Sequence, residues 1–250
     1  MGSQSARKQR QEERNWKPDA IETLTQTQAT YLDLLQSRDC TVATGPAGTG
    51  KTYVACAFAG YEMHHKNVRR IVVARPTIGV AKTMGFLPGD IKRKMAPWAR
   101  PLTEAFKQKM GAKKYQDAVN QGTIQIESLE HIRGLTFDDA FMIIDEAQNT
   151  TPAEMKALLT RIGDGTRVAI CGDITQSDLH NGDSGLRWAQ EAADRDMVPG
   201  VASVEFQSDD VVRSELCRMW GEAFETLEEE KRKAPDSVRG LRVLRAGELA

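Results

Sequence analysis

The sequence predicts an α/β fold: one main domain with a mostly parallel sheet and helices on both of its faces. Two observations support this prediction. Short, nearly continuous apolar runs recur along the 250 residues, and stretches with helical spacing separate them. Strands that are apolar on both sides are typical of sheets covered by helices on both faces. Strands that alternate with helices favour parallel pairing, because each helix carries the chain back across the sheet.

Six runs are rich in residues that favour strands, and we predict a strand in each. The runs are Cys40–Ala43, Arg70–Ala74, Thr123–Ile126, Phe141–Ile144, Val168–Cys171 and Ala202–Phe206. Helices are predicted at Gly50–Met63, Leu102–Met110, Pro152–Arg161, Ser184–Ala193 and Val211–Leu227. The helix at Pro152 has the clearest start, because Thr151 can cap it and Glu154 suits its first turn.

Composition and segment lengths exclude several classes of protein. Hydrophobic residues make up 40% and charged residues 28%, as expected for a chain that buries a core. The longest apolar runs, such as Phe141–Ile144, are far shorter than the ~20 residues of a membrane span. No apolar stretch follows the basic residues of the N-terminus, so no secretory signal is predicted. The spacing of the four cysteines fits neither a close-spaced zinc cluster nor a disulfide scaffold. We therefore expect a cytoplasmic protein without a membrane partner.

The chain divides into three parts by composition. Residues 1–18 carry five bases against two acids and are predicted to form a flexible basic arm. Residues 19–227 hold the strands and helices and form the main domain. Residues 228–250 begin with three acids followed by three bases and are predicted to be a charged C-terminal extension.

The net charge of −1 conceals a strong segregation of charge. The stretch Lys66–Lys114, here called the basic block, has thirteen Lys or Arg against only Asp90 and Glu104. A local excess of this size predicts an anionic partner such as a nucleic acid. The alternative is a solvated, lysine-rich face without a partner.

Residues 45–52, with the sequence GPAGTGKT, form the strongest motif, because they fit the pattern G-x-x-x-x-G-K-[ST] between a predicted strand and a predicted helix. Gly45, Gly48 and Gly50 permit backbone torsions that turn successive N–H groups towards a phosphate. Lys51 supplies a charge to the β- and γ-phosphates, and the Thr52 hydroxyl can ligate Mg²⁺. The residues predicted to bind the nucleotide are Gly45, Pro46, Ala47, Gly48, Thr49, Gly50, Lys51 and Thr52.

Two more polar motifs follow predicted strands. Asp145 and Glu146 end the strand Phe141–Ile144, so Asp145 is predicted to hold Mg²⁺ and Glu146 to act as the general base on water. An acid pair that merely starts a helix is the alternative. Gln176 follows the next strand, where it can contact the γ-phosphate or the catalytic water, or else belong to a polar turn.

The blocks GPAGTGKT, IIDEAQNTT and GDITQSDL resemble the PhoH family of P-loop ATPases, which is related to the motor domains of superfamily-1 helicases. The resemblance runs from about Thr25 to Glu225. It implies a single RecA-like P-loop NTPase domain that binds and hydrolyses ATP with Mg²⁺. It also matches Gln28 to a glutamine that reads adenine, a role for which an amide has both a donor and an acceptor. Gln28 as an ordinary surface residue is the alternative.

Two classes of function follow. The first is an ATPase that acts on RNA or single-stranded DNA as a helicase-like or translocase-like motor, with the basic block on the phosphate backbone. In this class the predicted nucleic-acid contacts are Arg75, Lys92, Arg93 and Lys94, although Arg75 can equally form a salt bridge with Asp145 or Glu146. The second class is an ATP-driven protein switch or assembly factor, in which the basic block serves subunit contacts.

The resemblance also predicts an oligomer. Superfamily-1 helicases place ATP between two motor domains, and the second domain contributes arginines to the γ-phosphate. One such domain takes up most of this chain, so we expect a neighbouring copy to supply the arginine in a hexameric ring. Arg213 is the first candidate and Arg161 the second, while pairing of Arg213 with nearby acids on its own helix is the alternative.

Overall fold

The computed structural model describes residues 18–76, 91–132, 134–179 and 183–212, and some helical residues between 216 and 227. For residues 91–98 it describes the backbone alone. The chain up to Val212 forms one compact unit, and the residues from Arg213 onward form another. The predicted basic arm, apart from Pro18, and the predicted charged extension lie outside the described residues, and the domain boundaries stay predictions.

A six-stranded, fully parallel sheet organises the described residues. Its strands are β1 (Cys40–Thr44), β2 (Arg70–Arg75), β3 (Ile124–Ser128), β4 (Ala140–Ile144), β5 (Arg167–Gly172) and β6 (Val201–Glu205). Their order across the sheet is β3-β2-β4-β5-β1-β6, and every neighbouring pair is parallel. All strands therefore begin at one edge of the sheet, here called the amino edge, and end at the other, the carboxyl edge. The predicted α/β fold with a parallel sheet is confirmed.

Helices cover both faces of the sheet. They are α1 (Gln26–Ser37), α2 (Lys51–His64), α3 (Ile91–Met110), α4 (Ala112–Asn120), α5 (Leu129–Ile132), α6 (Pro152–Leu159) and α7 (Gly185–Asp194). Strand β4 shows how the two cores divide: Phe141 and Ile143 join α2 and α3 in one, while Met142 and Ile144 join α6 and α7 in the other. None of the described helices is long and apolar enough to cross a membrane.

Two predicted helices differ from the structure by more than two residues at one end. The helix predicted at Leu102–Met110 begins at Ile91 and runs through Pro97 and Pro101. A proline in a helix removes one backbone hydrogen bond, and a helix of this length keeps most of the others. The predicted helix Val211–Leu227 is wrong at its start, because Val211 and Val212 follow a 3₁₀ turn and are not helical. Within residues 211–227, the described helical residues begin at Leu216.

Candidate functional site

The phosphate-loop motif connects β1 to α2 at the carboxyl edge. Gly45, Gly48 and Gly50 have φ angles of 126°, 90° and 86°, which L side chains rarely adopt. A Cβ atom at Gly45 would overlap the carbonyl oxygen of Phe206, so both the torsion and the space there require glycine. The loop thus takes a conformation that brings its backbone around the start of α2.

The ammonium group of Lys51 lies inside this loop. Its Nζ donates hydrogen bonds to the carbonyl oxygens of Gly45 and Pro46, both at 2.7 Å, and to the Thr49 hydroxyl at 3.1 Å. The Phe206 ring centre lies 5.8 Å from the same atom. Burial lowers the pKa of Lys51, and nearby groups including Asp173 oppose that shift. A cation is therefore held where the loop converges.

Thr52 and Asp145 meet next to Lys51. The Thr52 hydroxyl donates to Oδ1 of Asp145 at 2.6 Å, although 93 residues separate them. Asp145 follows β4 directly, and its N–H donates to the Ala74 carbonyl of β2. Burial raises the pKa of Asp145, while the Thr52 hydrogen bond and the charge of Arg75 lower it. The two predicted Mg²⁺ ligands are thus side by side.

Glu146 adopts an unusual backbone conformation. Its φ of 52° lies in the left-handed region, which non-glycine residues seldom enter and which is often found at functional sites. Its Oε1 atom lies 3.5 Å from Nη2 of Arg75, and its Oε2 atom accepts a hydrogen bond of 2.6 Å from Gln148. Arg75 also lies 3.5 Å from Asp145, so the salt-bridge alternative for this arginine is present in the structure.

Gln148 links the acid pair to the third motif. Its side chain is buried, and its Oε1 atom accepts the backbone N–H of Asp173 at 3.1 Å. A Cβ atom on Gly172 would lie 2.5 Å from the same oxygen, so the glycine leaves room for this contact. One amide therefore connects the ends of β4 and β5.

The third motif turns at the end of β5. Asp173 Oδ1 accepts hydrogen bonds from the backbone N–H and the hydroxyl of Thr175, and this caps a 3₁₀ turn at Ile174–Gln176. The buried Oδ2 atom of Asp173 has no hydrogen-bond partner among the described residues. Gln176 is exposed at this edge of the sheet.

Gln28 contacts the phosphate loop from α1. Its Nε2 donates to the Thr49 carbonyl at 2.9 Å, and its Oε1 accepts the Leu24 N–H at 2.8 Å. An amide has two N–H groups and two oxygen lone pairs, so each atom keeps capacity for one more hydrogen bond. The side chain is buried rather than on the surface. The adenine-reading role stays a prediction.

Residues 206–212, here called the strap, lie along the phosphate loop. The Phe206 N–H donates to Thr44, the last residue of β1, and the Val212 N–H donates to Gly48. Burial raises the pKa of Asp210, but hydrogen bonds from the Gln207 N–H and the hydroxyls of Thr25 and Thr27 bring it below its usual value. The strap therefore joins the loop to the start of α1.

The basic block is divided between the two edges of the sheet. Arg75 lies at the carboxyl edge, whereas Arg69 lies just before β2 at the amino edge. Lys109 is buried and donates to the backbone carbonyls of residues 19 and 20. Lys92, Arg93 and Lys94 fall in the first turn of α3, and their side chains lie outside the description, as does the whole of Arg213.

Sequence reasoning did not identify Gln148 or Phe206 as site residues. The sequence held one signal for Gln148: it is a neutral polar residue only two positions after Glu146, next to the acid pair. Phe206 is 161 residues from Gly45 in the chain and carries no polar group, and no local pattern marks it. Only the pairing of β6 with β1 brings it to the loop.

The residues fit a magnesium nucleotide. Thr52 and Asp145 offer oxygen atoms, which Mg²⁺ prefers. Unpaired polar atoms are buried at the same edge, namely Oγ1 of Thr44 and Oδ2 of Asp173, and such atoms are costly unless a ligand or water satisfies them. Within the described ranges, no cluster of three or more His, Cys, Asp or Glu side chains could hold a metal, so a Mg²⁺ ion here would depend on Thr52, Asp145 and the nucleotide itself.

The glycine loop after β1 and the acid after β4, on a parallel sheet, define a P-loop nucleoside triphosphatase domain. The family model for PhoH-like proteins matches residues 20–225. The chain therefore belongs to the PhoH-like family, as its motifs predicted. It is 39% identical over 213 residues to a PhoH-like protein of Bacillus subtilis and 42% identical over 196 residues to the PhoH protein of Escherichia coli. These matches cover 85% and 77% of this chain, but only 66% and 55% of the relatives.

Solved structures resemble this chain over about three quarters of its length. The large terminase of a thermophilic bacteriophage matches with a TM-score of 0.48 and 14% identity, over 78% of this chain and 48% of the terminase. The UvsW helicase of bacteriophage T4 matches with a TM-score of 0.42 and 12% identity, over 77% of this chain and 62% of the helicase.

Proposed function

We propose that the protein binds ATP with Mg²⁺ at the carboxyl edge and hydrolyses it. The observation that carries this proposal is the 2.6 Å hydrogen bond between Thr52 and Asp145, next to the buried Lys51. Thr52 and Asp145 would hold Mg²⁺, whose chemistry is to neutralise charge on the β- and γ-phosphates. Lys51 would exchange its loop carbonyl acceptors for phosphate oxygens.

Glu146 is the proposed general base. It would take a proton from the attacking water, and Arg75 and Gln148 hold one carboxylate oxygen each. Gln176 is exposed at the same edge and would contact the γ-phosphate or that water. Gln28 would use its remaining hydrogen-bond capacity on adenine.

The proposed substrate is RNA or single-stranded DNA, on which the ATPase acts as a helicase-like or translocase-like motor. Arg75 supports this proposal, because its guanidinium joins the candidate Mg²⁺ ligand Asp145 to the candidate base Glu146 at the carboxyl edge. A nucleic-acid phosphate that competed for Arg75 would change the restraint on Glu146. The three bases at the start of α3 would add further phosphate contacts.

A protein switch or assembly factor is the second candidate function. It is favoured by the cations at the amino edge, because Lys66 and Lys114 line a cavity there, at the far edge of the sheet from the phosphate loop. In this reading the basic block serves contacts between subunits.

The two functions differ in what stimulates turnover. ATP hydrolysis is measured with and without single-stranded RNA or DNA at about 50 and 200 mM salt, with Lys51→Ala as the inactive control. The motor proposal expects stimulation that decreases steeply with salt, since phosphate contacts release counterions. Turnover that nucleic acid does not change at either salt concentration favours the switch.

The proposed assembly is a homo-oligomeric ring, six copies by family resemblance, with ATP between neighbouring copies and Arg213 of one copy at the γ-phosphate of the next. Mixing inactive Lys51→Ala and Arg213→Ala subunits tests this arrangement, because some interfaces would regain both groups. Verified mixed oligomers without any recovered turnover would contradict it.

A cytoplasmic location completes the proposal, supported by the free, buried thiols of Cys40, Cys56 and Cys171.

A further inference from the structure

A cavity of about 490 Å³ opens at the amino edge of the sheet, away from the phosphate loop. It lies among the ends of α2 and α3, helix α4 and the segments that enter β2 and β3. Val68, Met110 and Ala118 are buried and form an apolar floor with Met63. The volume is within the range that holds a small molecule or a few inserted side chains.

The walls of this cavity carry an excess of positive charge. Lys66, Arg69 and Lys114 line it with exposed side chains, against one acid, Asp117. Arg69 also lies 3.4 Å from Asp139, but both side chains are largely exposed, and such pairs contribute little. An occupant with an apolar tip flanked by carboxylates would complement this cavity.

The same chain carries an exposed turn of that kind between α7 and β6, here called the protrusion. Met197 and Val198 are 61% and 50% exposed, which is unusual for adjacent large apolar residues. Glu191, Asp194 and Asp196 precede them, against Arg195, which forms an ion pair with Glu191 at 2.8 Å. The protrusion thus has an apolar tip next to an acidic flank.

Backbone hydrogen bonds hold this protrusion in a defined shape. The Met197 N–H donates to the Ala192 carbonyl at 2.9 Å, and the Val201 N–H donates to Val198 at 3.3 Å. The carbonyl of Gly200 accepts the N–H groups of Asp39 and Cys40 at the start of β1. A turn fixed in this way loses little conformational entropy when it binds.

The two features lie at opposite ends of one edge of the sheet. The cavity adjoins β3, the outermost strand on one side, and the protrusion leads into β6, the outermost strand on the other. An isolated copy cannot join them, but two copies can. Contacts between different surfaces of identical chains propagate head to tail and close into a ring when the rotation permits.

We propose that the Met197–Val198 turn of one copy inserts into the amino-edge cavity of a second copy, with its acidic flank against Lys66, Arg69 and Lys114. The inference rests on the proposed oligomer and adds to its subunit interface a contact at the amino edge, apart from the contact at the ATP site; it is independent of ATP hydrolysis. Stable interfaces bury about 800 Å² on each partner, so this contact is the anchor of a larger surface.

The test uses two variants that each damage one surface. Met197→Lys with Val198→Lys places cations on the protrusion, and Lys66→Glu with Lys114→Glu reverses two charges of the cavity. All four residues are exposed, so the fold should survive, and circular dichroism with thermal melting checks this. Leu135→Lys, another exposed apolar position at 50%, is the matched control.

Sedimentation without nucleotide measures the assembly. The wild type and Leu135→Lys should form the same oligomer, and each damaged variant alone should associate at least ~10-fold more weakly, a change worth about 1.4 kcal/mol. An equal mixture of the two variants should form dimers and nothing larger, because only one intact pair of surfaces remains. A monomeric wild type, unaffected variants, or a mixture that stays monomeric or forms full oligomers would overturn the proposal. If the protein did not hydrolyse ATP, the sedimentation results expected here would be the same.

Discussion

The side-chain amide of Gln148 donates to Glu146 at 2.6 Å and accepts the backbone N–H of Asp173 at 3.1 Å. The orientation of the candidate base at the end of β4 therefore depends on the backbone at the end of β5. Because Gln148 is itself buried, a movement of either strand end would move all three residues together.

Gln148→Ala should slow ATP hydrolysis roughly 10-fold or more while ATP affinity stays within about 3-fold, because Glu146 loses its orientation and the phosphate loop is intact. Steady-state kinetics and ATP binding measure the two effects. Asn149→Ala is the matched control, since Asn149 is also buried but accepts from the N–H of Asp178. Equal loss of kcat in both variants would indicate a general structural effect and contradict this role of Gln148.

Gly45→Ala should destabilise the fold by about 3 kcal/mol or more, because the new Cβ adds backbone strain and overlaps the Phe206 carbonyl. Gly122→Ala is the matched control. It has a φ of 71° but no atom within 4 Å of its Cβ position, so it should cost only about 1–2 kcal/mol. Urea unfolding measures both variants, and equal losses would show that the contact with Phe206 contributes nothing.

Asp210→Asn should lower the free energy of unfolding by about 1–3 kcal/mol at pH 7, because the carboxylate accepts hydrogen bonds that join the strap to α1. The pKa of Asp210 is below its usual value in the folded state. Its contribution is therefore present above the unfolded-state pKa of about 3.9 and is lost as pH falls through the lower folded-state pKa.

Unfolding of the wild type and Asp210→Asn is compared from pH 7 down to about pH 3, where the carboxylate approaches protonation. We expect the difference in stability to shrink below about pH 4. A difference that is the same at pH 3 and pH 7 would mean that the charge of Asp210 is irrelevant to the strap.

Charge reversal of Lys92, Arg93 and Lys94 together should weaken nucleic-acid binding and reduce its salt dependence by up to about three units of slope. Fluorescence anisotropy across a salt series measures both quantities. Reversal of the half-buried Lys107 and the exposed Lys113, which belong to the same basic block, is the control. Unchanged affinity and slope in the triple variant would favour the protein-switch function.

The fold was predictable because its signals are local. Most strands of the sheet are nearly continuous apolar runs, so even β4 between two polar turns was recognisable. The start of α3 was not, because Pro97 and Pro101 normally mark a helix start, and here the helix continues through both. Val211 and Val212 look helical in sequence, but the Val212 N–H bonds to Gly48 in the phosphate loop instead.

The residues of the candidate site also fall into two groups: those that a local motif identifies and those that it does not. Lys51, Thr52 and Asp145 belong to motifs whose spacing reflects their chemistry, and the parallel sheet brings them to one edge. Gln148 and Phe206 act through contacts that depend on strand order and on small neighbours such as Gly172 and Gly45. No pattern within either segment specifies those contacts, so only the three-dimensional structure identifies them.

The most direct test of ATP hydrolysis at this site is single-turnover cleavage of ATP with Mg²⁺ by the wild type, Glu146→Gln and Lys51→Ala, with ATP binding measured in parallel. Glu146→Gln should bind ATP nearly as the wild type does and cleave it at least ~100-fold more slowly, the usual contribution of a general base. Lys51→Ala should lose productive binding, because its ammonium is the cation inside the loop. Wild-type cleavage by Glu146→Gln, or unchanged ATP binding and cleavage by Lys51→Ala, would contradict the proposed site.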